Sequence, residues 1–137
     1  MYKVKYFINP EDLVNIRKEL GWKEISLKQA TKAINNSMIN VSVYEGDKCA
    51  GIGRIVGDNV YKGMLTDVMT RKEYQGKGVG KLIVTSLINE IPNMLEAGEL
   101  FQLEASPTSG NREFYIKCGL KYKPENQDGV YLWLKKD

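Results

Sequence analysis

The chain has 137 residues, of which 42% are hydrophobic and 27% charged, with a formal net charge of +3. That length admits one domain with one sizeable core and excludes two of ordinary size. No apolar run approaches the roughly 20 residues needed to span a bilayer, no secretory leader is legible, and two lone cysteines, Cys49 and Cys118, suit a reducing, cytoplasmic setting.

In chain order, Tyr2 to Ile8 alternates polar and apolar as a strand does. Pro10-Glu11-Asp12 opens a helix, because proline suits a first turn and early acids suit the helix dipole. Leu13, Ile16 and Leu20 give that helix its apolar stripe, and Gly21 ends it. Ser26 is an N-cap residue for a second helix carrying Leu27, Ala30 and Ile34 on one face, ended by Asn35-Asn36. Three strands follow, Ile39 to Tyr44, Cys49 to Val56 and Val60 to Met69, separated by short turns that favour antiparallel hairpins. A helix from Val79 to Ile91 presents Leu82, Ile83, Leu87 and Ile91 inward, and Pro92 interrupts it. Leu100 to Ala105 is a strand, Asn111 to Cys118 a short helix stopped by Gly119, and Leu120 to Tyr122 pairs with Val130 to Leu134 as a last hairpin.

The expected order is β-α-α-β-β-β-α-β-α-β-β. The one crossover, through the long helix, makes its two strands parallel. The expected fold class is therefore α/β (α+β): a mixed, largely antiparallel central sheet flanked by helices, in a single domain over residues 1–137.

Charge is concentrated between Arg71 and Lys81, where Arg71, Lys72, Lys77 and Lys81 stand against Glu73 alone. A local positive field suits an anionic ligand, although a solvated basic surface would look the same. In that stretch Gly76, Gly78 and Gly80 alternate at a helix start. Glycine weakens a helix, so three of them there need a reason. Bare backbone admits close approach, and the amides of a first helical turn bind phosphate. A Walker A loop would need four residues between Gly76 and the Gly-Lys pair, where three stand, and a hydroxyl where Leu82 stands. The Rossmann spacing also fails, since Gly-x-Gly-x-Gly replaces Gly-x-Gly-x-x-Gly. Histidine is absent, which removes the usual acid-base residue and the commonest zinc ligand.

Gln75-Gly76-Lys77-Gly78-Val79-Gly80 resembles the acetyl-CoA loop, Gln/Arg-x-x-Gly-x-Gly/Ala, of the GNAT superfamily of N-acetyltransferases. Downstream, Asn111 to Leu120 is similar to that family's Asn-x-x-x-x-Phe-Tyr-x-x-x-Gly-Phe signature, slightly shortened before Phe114-Tyr115. The element order resembles the family's acyl-CoA N-acyltransferase fold over nearly the whole chain. The resemblance implies acetyl-CoA as co-substrate, no metal, and transfer of an acetyl group to a primary amine by direct attack through a tetrahedral intermediate. It implies that Gln75, Gly76, Lys77, Gly78, Val79, Gly80 and Lys81 hold the pyrophosphate. Val68, Met69 and Thr70 would pair with the pantetheine arm, and Asn111, Phe114 and Tyr115 would line it. The family's strand carries a bulge there and splays from the next strand, and a backbone amide near Met69 would stabilise the oxyanion.

On the same resemblance Tyr115 is the general acid, since a phenol of pKa about 10 can protonate a departing thiolate. Asp67 is a candidate base, because alternation places it on one face with Leu65 and Met69, or else it only orients the strand or the neighbouring loop. Glu104 and a water chain are the other candidates. Cys118 raises an acetyl-cysteine route, against which a small buried residue is the simpler reading. Trp22, Tyr131 and Trp133 are either acceptor-pocket residues or core aromatics. Glu24 and Glu45 are acids that could attract a cationic amine. The partners expected are a small-molecule or peptide amine, with no nucleic acid and no membrane, for a monomer or homodimer. A non-catalytic acetyl-CoA sensor is the alternative function.

Overall fold

The computed structural model describes residues 1–106, 111–123 and 129–137. Strands β1 (Tyr2–Lys5), β2 (Ile39–Glu45), β3 (Lys48–Gly57) and β4 (Lys62–Thr70) are followed by β5 (Leu100–Ala105), β6 (Lys121–Tyr122) and β7 (Val130–Lys135). They form one seven-stranded sheet in the order β1-β2-β3-β4-β5-β7-β6, in which β4 and β5 are parallel and the other pairs antiparallel. The helices are α1 (Pro10–Glu19), α2 (Leu27–Asn35), α3 (Val79–Glu90) and α4 (Arg112–Lys117). This is the mixed, largely antiparallel sheet flanked by helices that the sequence implied. The link between β6 and β7 lies outside the described residues.

Local chemistry explains most boundaries. The Ser26 hydroxyl accepts the Gln29 amide at 3.0 Å and starts α2. The first strand stops at Lys5 rather than Ile8. Asn9 caps α1 by accepting the Glu11 amide at 3.1 Å, which turns the chain early and sends Ile8 into the core. The long helix stops at Glu90, and a 3-10 turn, Ile91–Met94, holds Pro92. Its buried stripe is Val79, Ile83, Val84, Leu87 and Ile91, with Leu82 only half-buried.

The sheet separates two apolar clusters. On one face α3 packs Ile83 and Leu87 with Val41, Val43, Ile55, Leu65 and Phe101. On the other, α1 and α2 pack Leu13, Ile16, Ala30 and Ile34 with Tyr44, Cys49, Ile52 and Met69. The helix α3 lies directly on bare backbone: a Cβ on Gly53 would stand 2.5 Å from Ile83 Cγ2.

Opposite Gly53 the ladder is irregular. Thr66 pairs with Arg54 and Met69 with Ile52, so Asp67 and Val68 both oppose Gly53. This is a β-bulge, and Asp67 takes φ +52° within it. The extra residue resets alternation. Leu65 faces α3, whereas Met69 faces α1 and α2. The expectation that Leu65, Asp67 and Met69 share a face is thereby corrected, because it assumed a regular strand.

The neighbouring strand parts from β4 at the same place. Pairing with β5 covers only Lys62 to Leu65. From Thr66 to Thr70, β4 keeps β3 on one edge and, among the described residues, has no strand on the other.

Replacing Gly53 by Val should force Ile83 off its rotamer and cost about 1–3 kcal/mol. Urea unfolding should show it as a lower midpoint at an unchanged slope.

Candidate active site

The site is built on the unpaired edge of β4. The Arg71 amide donates to Ala50 O on β3 at 2.9 Å. Backbone direction alternates along a regular strand, so the amide of Thr70 points the other way, into the gap, beyond the bulge that holds Val68. Thr70 O also faces that side and accepts Gln75 Nε2 at 3.1 Å. An extended ligand arm can bond such an edge as an added strand would.

The chain then makes a 3-10 turn, Lys72–Tyr74, and enters α3 through Gly78 at φ 84°, a left-handed conformation suited to glycine. No side chain caps this helix. The amides of Val79, Gly80 and Lys81 therefore face outward with the helix dipole behind them. From the next layer Phe114 lies against the first turn of α3, and a Cβ on Gly80 would stand 3.2 Å from its Cζ.

These parts enclose a cleft of about 1230 Å³. Of the cofactor residues expected from the sequence, Val68, Met69, Thr70, Gln75, Gly76, Gly78, Val79, Gly80, Lys81, Asn111, Phe114 and Tyr115 line it. Lys77 does not; its Nζ sits 5.9 Å from the Tyr74 ring centroid. Lys72, expected only as part of the basic stretch, lines the cleft, and so do Leu20, Tyr74 and Lys117, to which no ligand role was assigned. Lys117 lies two residues past Tyr115, so its signal was positional only.

The basic stretch is divided. Lys72 and Lys81 line the cleft, but Arg71 turns inward. Its Nε donates to Cys49 O at 2.8 Å, its Nη1 to Glu19 Oε1 at 3.0 Å, and its Nη2 lies 3.6 Å from Asp12 Oδ1. Glu19 Oε2 also accepts the Lys72 amide at 2.8 Å. Glu73 pairs with Lys48. Arg71 thus anchors the end of α1 beside the loop.

Tyr115 stacks edge-on against Phe114 with ring centroids 5.1 Å apart. Burial, and secondarily the Cys118 thiol, pushes its phenol above the ordinary value, which keeps it protonated. Cys118 lines the same cleft, and burial raises its thiol as well, with Lys81 opposing. A thiolate nucleophile is disfavoured there.

A second cleft, of about 230 Å³, opens beside the bulge and includes Thr66, Asp67 and Ser106. It shares Trp22, Val68, Asn111 and Tyr115 with the first. Trp22 is 39% exposed and Trp133 51%, so neither is a core aromatic. Trp133 lines neither cleft, and Tyr131 is half-buried opposite Glu104. Both Asp67 oxygens hold guanidinium groups: Arg54 Nε donates at 2.8 Å and Arg17 Nη1 at 3.1 Å. Glu104 pairs with Lys123 at 3.3 Å and lines neither cleft.

A family model described as the Acetyltransferase (GNAT) domain matches residues 9–131. The chain is 28% identical over 131 residues to the uncharacterized N-acetyltransferase ycf52 of Gracilaria tenuistipitata var. liui, covering 93% of this chain and 70% of that protein. It superposes with a TM-score of 0.78 on SA2161 of meticillin-resistant Staphylococcus aureus, a probable acetyltransferase, at 28% identity over 93% of this chain and 94% of that one. The ribosomal-protein-S18-alanine N-acetyltransferase of Escherichia coli shares the fold, with a TM-score of 0.69 at 18% identity over 98% and 93% of the two chains. The chain belongs to the GNAT acetyltransferase family. It is an acetyltransferase enzyme, of a fold whose members use acetyl-CoA as co-substrate. No helix among the described residues is long and apolar enough to cross a membrane.

The Glu19 anchor has a pH signature. The Lys72 amide lowers its carboxyl below the ordinary value; burial opposes this, and the Arg71 guanidinium adds to the lowering. A depressed folded-state pKa stabilises above the unfolded value, about 4.3, and that contribution disappears as pH falls through the folded value. Glu19→Gln should lower stability at pH 7 by about 0.5–1.5 kcal/mol, less at high salt because the pair is partly exposed. Urea titrations of both proteins should converge as pH falls below the ordinary carboxylate value.

Proposed function

We propose that this enzyme transfers an acetyl group from acetyl-CoA to a primary amine of a small molecule or peptide, by direct attack through a tetrahedral intermediate. One observation carries the reading: the open start of α3 and the unpaired edge of β4 line one cleft, and a second cleft meets it at Val68 and Tyr115. The dimensions and donors suit the proposed ligand. A pyrophosphate needs outward amides and cations, supplied by Val79 to Lys81 and by Lys72 and Lys81. A pantetheine arm needs alternating backbone donors and acceptors, supplied by Val68 and Thr70.

Acetyl-CoA supplies an activated thioester to a neutral amine. The chain's part is positional and electrostatic. The two clefts bring thioester and amine to the edge at Val68 from different directions. The Val68 amide donates to the developing oxyanion. Tyr115 gives its phenolic proton to the departing thiolate, and its raised pKa keeps that proton available through neutral pH. Water in the second cleft takes the amine's proton. The protein acts as a monomer or homodimer. Its two free, buried cysteines suit a reducing compartment such as the cytoplasm.

Calorimetric titration with acetyl-CoA should give binding within the 1 μM–1 mM range common for enzyme substrates. Lys81→Glu should weaken it by about tenfold or more, at roughly 1.4 kcal/mol per decade. With an amine that elicits CoA release, Tyr115→Phe should lower kcat by about 10²-fold or more and leave acetyl-CoA binding within about twofold. Activity of the parent should persist on the alkaline side to about pH 10, the ordinary phenol value. Tight binding without CoA release across a broad amine panel would instead favour a sensor of acetyl-CoA.

A further inference from the structure

Asp67 sits where a base would be sought, beside the second cleft, yet its surroundings describe another task. Its side chain is 10% exposed and both oxygens are engaged. Each arginine is itself fastened elsewhere. Arg54, on β3, also donates through Nη1 to Ala33 O at 3.3 Å and to Ser37 Oγ at 3.1 Å, at the end of α2. Arg17, on α1, donates through Nε to Lys23 O at 2.8 Å and lies 5.6 Å from the Trp22 ring. One carboxylate therefore ties β3, α1 and α2 to the bulge.

The backbone gives the tie its purpose. Asp67 is held at φ +52°, a conformation that costs an ordinary side chain free energy and persists only where the surroundings impose it. The next residue is Val68, which lines both clefts. A bulge re-aims backbone groups, and its angle is set by whatever fixes its first residue. Serving as a base would require the carboxylate to give up one of its two guanidinium hydrogen bonds.

We propose that Asp67, clamped between Arg17 and Arg54, is a positioning residue that fixes the bulge and so aims the Val68 amide at the acyl oxygen. This rests on the acetyltransferase reading above. The clamp works through the charge of Asp67 and through both arginines together. Arg54, which lines neither cleft, is as necessary as the carboxylate.

The test is a backbone amide spectrum of the whole protein titrated with acetyl-CoA. The wild type should show shifts in two groups of amides: Gly78 to Lys81, which read the pyrophosphate, and Val68 and Thr70, which read the arm. Asp67→Asn keeps size and tolerates positive φ. It should lose the Val68 response while keeping the Gly78 to Lys81 response, with affinity reduced less than about fivefold, or roughly 1 kcal/mol. Arg54→Gln should reproduce that pattern, and Arg54→Lys should restore it in part. With a working amine, kcat should fall about 10- to 100-fold in both variants, KM for acetyl-CoA should hold, and the double variant should be no worse than either single one. If Asp67→Asn does not fold, the two Arg54 variants decide alone. A normal Val68 response in Asp67→Asn or Arg54→Gln overturns the clamp. Unchanged or higher kcat in Arg54→Gln also overturns it, and points to a carboxylate freed to act as base. No response from either amide group in the wild type would instead remove the acetyltransferase reading beneath it.

Discussion

The architecture depends on one strand having unequal edges. Along β4 every residue from Gly63 to Thr70 lies beside β3, except where the bulge intervenes, but β5 accompanies the strand only as far as Leu65. Buried backbone donors and acceptors without partners are costly, so an interior strand with a bare edge must face solvent or a ligand. Here the bare edge opens onto a cleft, and the crossover helix begins at that cleft's far end. A ligand with amides along an arm and anions at its end would meet complementary groups in the same order. The parallel crossover makes this coincidence unavoidable: the chain leaves β4 at its carboxyl end, and the next helix must start there.

An open edge of this kind needs support from the side that remains. Part of it is apolar, since Gly51 and Gly53 let α3 settle on β3 with Ile83 almost touching backbone. The rest is ionic. Arg71 reaches Glu19 at the end of α1 and Asp12 in its first turn, and Asp67 takes Arg17 and Arg54 a few residues earlier. Two ion-pair clusters thus pin one short helix across the open half of the strand. Half-buried ion pairs contribute little net stability, because desolvation offsets attraction. Their value is directional: a guanidinium fork fixes angle as well as distance, which apolar packing against a groove would not. The loop after α1, with Leu20 and Trp22, then has a defined place at the mouth of the cleft.

Much of this was legible in the chain. Hairpin turns, the single crossover and the capping residues Asn9 and Ser26 are local signals, and local signals survive folding when no tertiary contact overrides them. The glycine-rich loop was legible because Gln75 to Gly80 resembles the acetyl-CoA loop of the family. What escaped was non-local. Alternation assigned Leu65, Asp67 and Met69 to one face, and a single inserted residue opposite Gly53 undid that. Counting charges between Arg71 and Lys81 treated Arg71 as surface, although Glu19 and Asp12, more than fifty residues upstream, draw it inward. The partners of Asp67 come from α1 and β3, and nothing in the pattern of β4 announces them. Size alone left Trp22 and Trp133 as either acceptor-pocket or core aromatics; both are exposed, and of the two only Trp22 lines the clefts.

The absence of histidine from the sequence then has a physical answer on the proposed reading. An enzyme that must deprotonate an amine and protonate a thiolate does not need one residue for both. The thiolate is the weaker demand, met by a phenol that burial holds protonated. The amine's proton can leave through the second cleft, which reaches Thr66 and Ser106 and abuts the clamped carboxylate. A free carboxylate there would hold a cationic amine as an ion pair and keep it protonated, which slows attack. A carboxylate already neutralised by two guanidinium groups does not. The pair of arginines leaves a surplus positive charge beside the bulge, which disfavours an ammonium ion and favours the neutral amine that attacks. The arrangement that fixes the strand therefore also sets which protonation state of the acceptor is tolerated next to it.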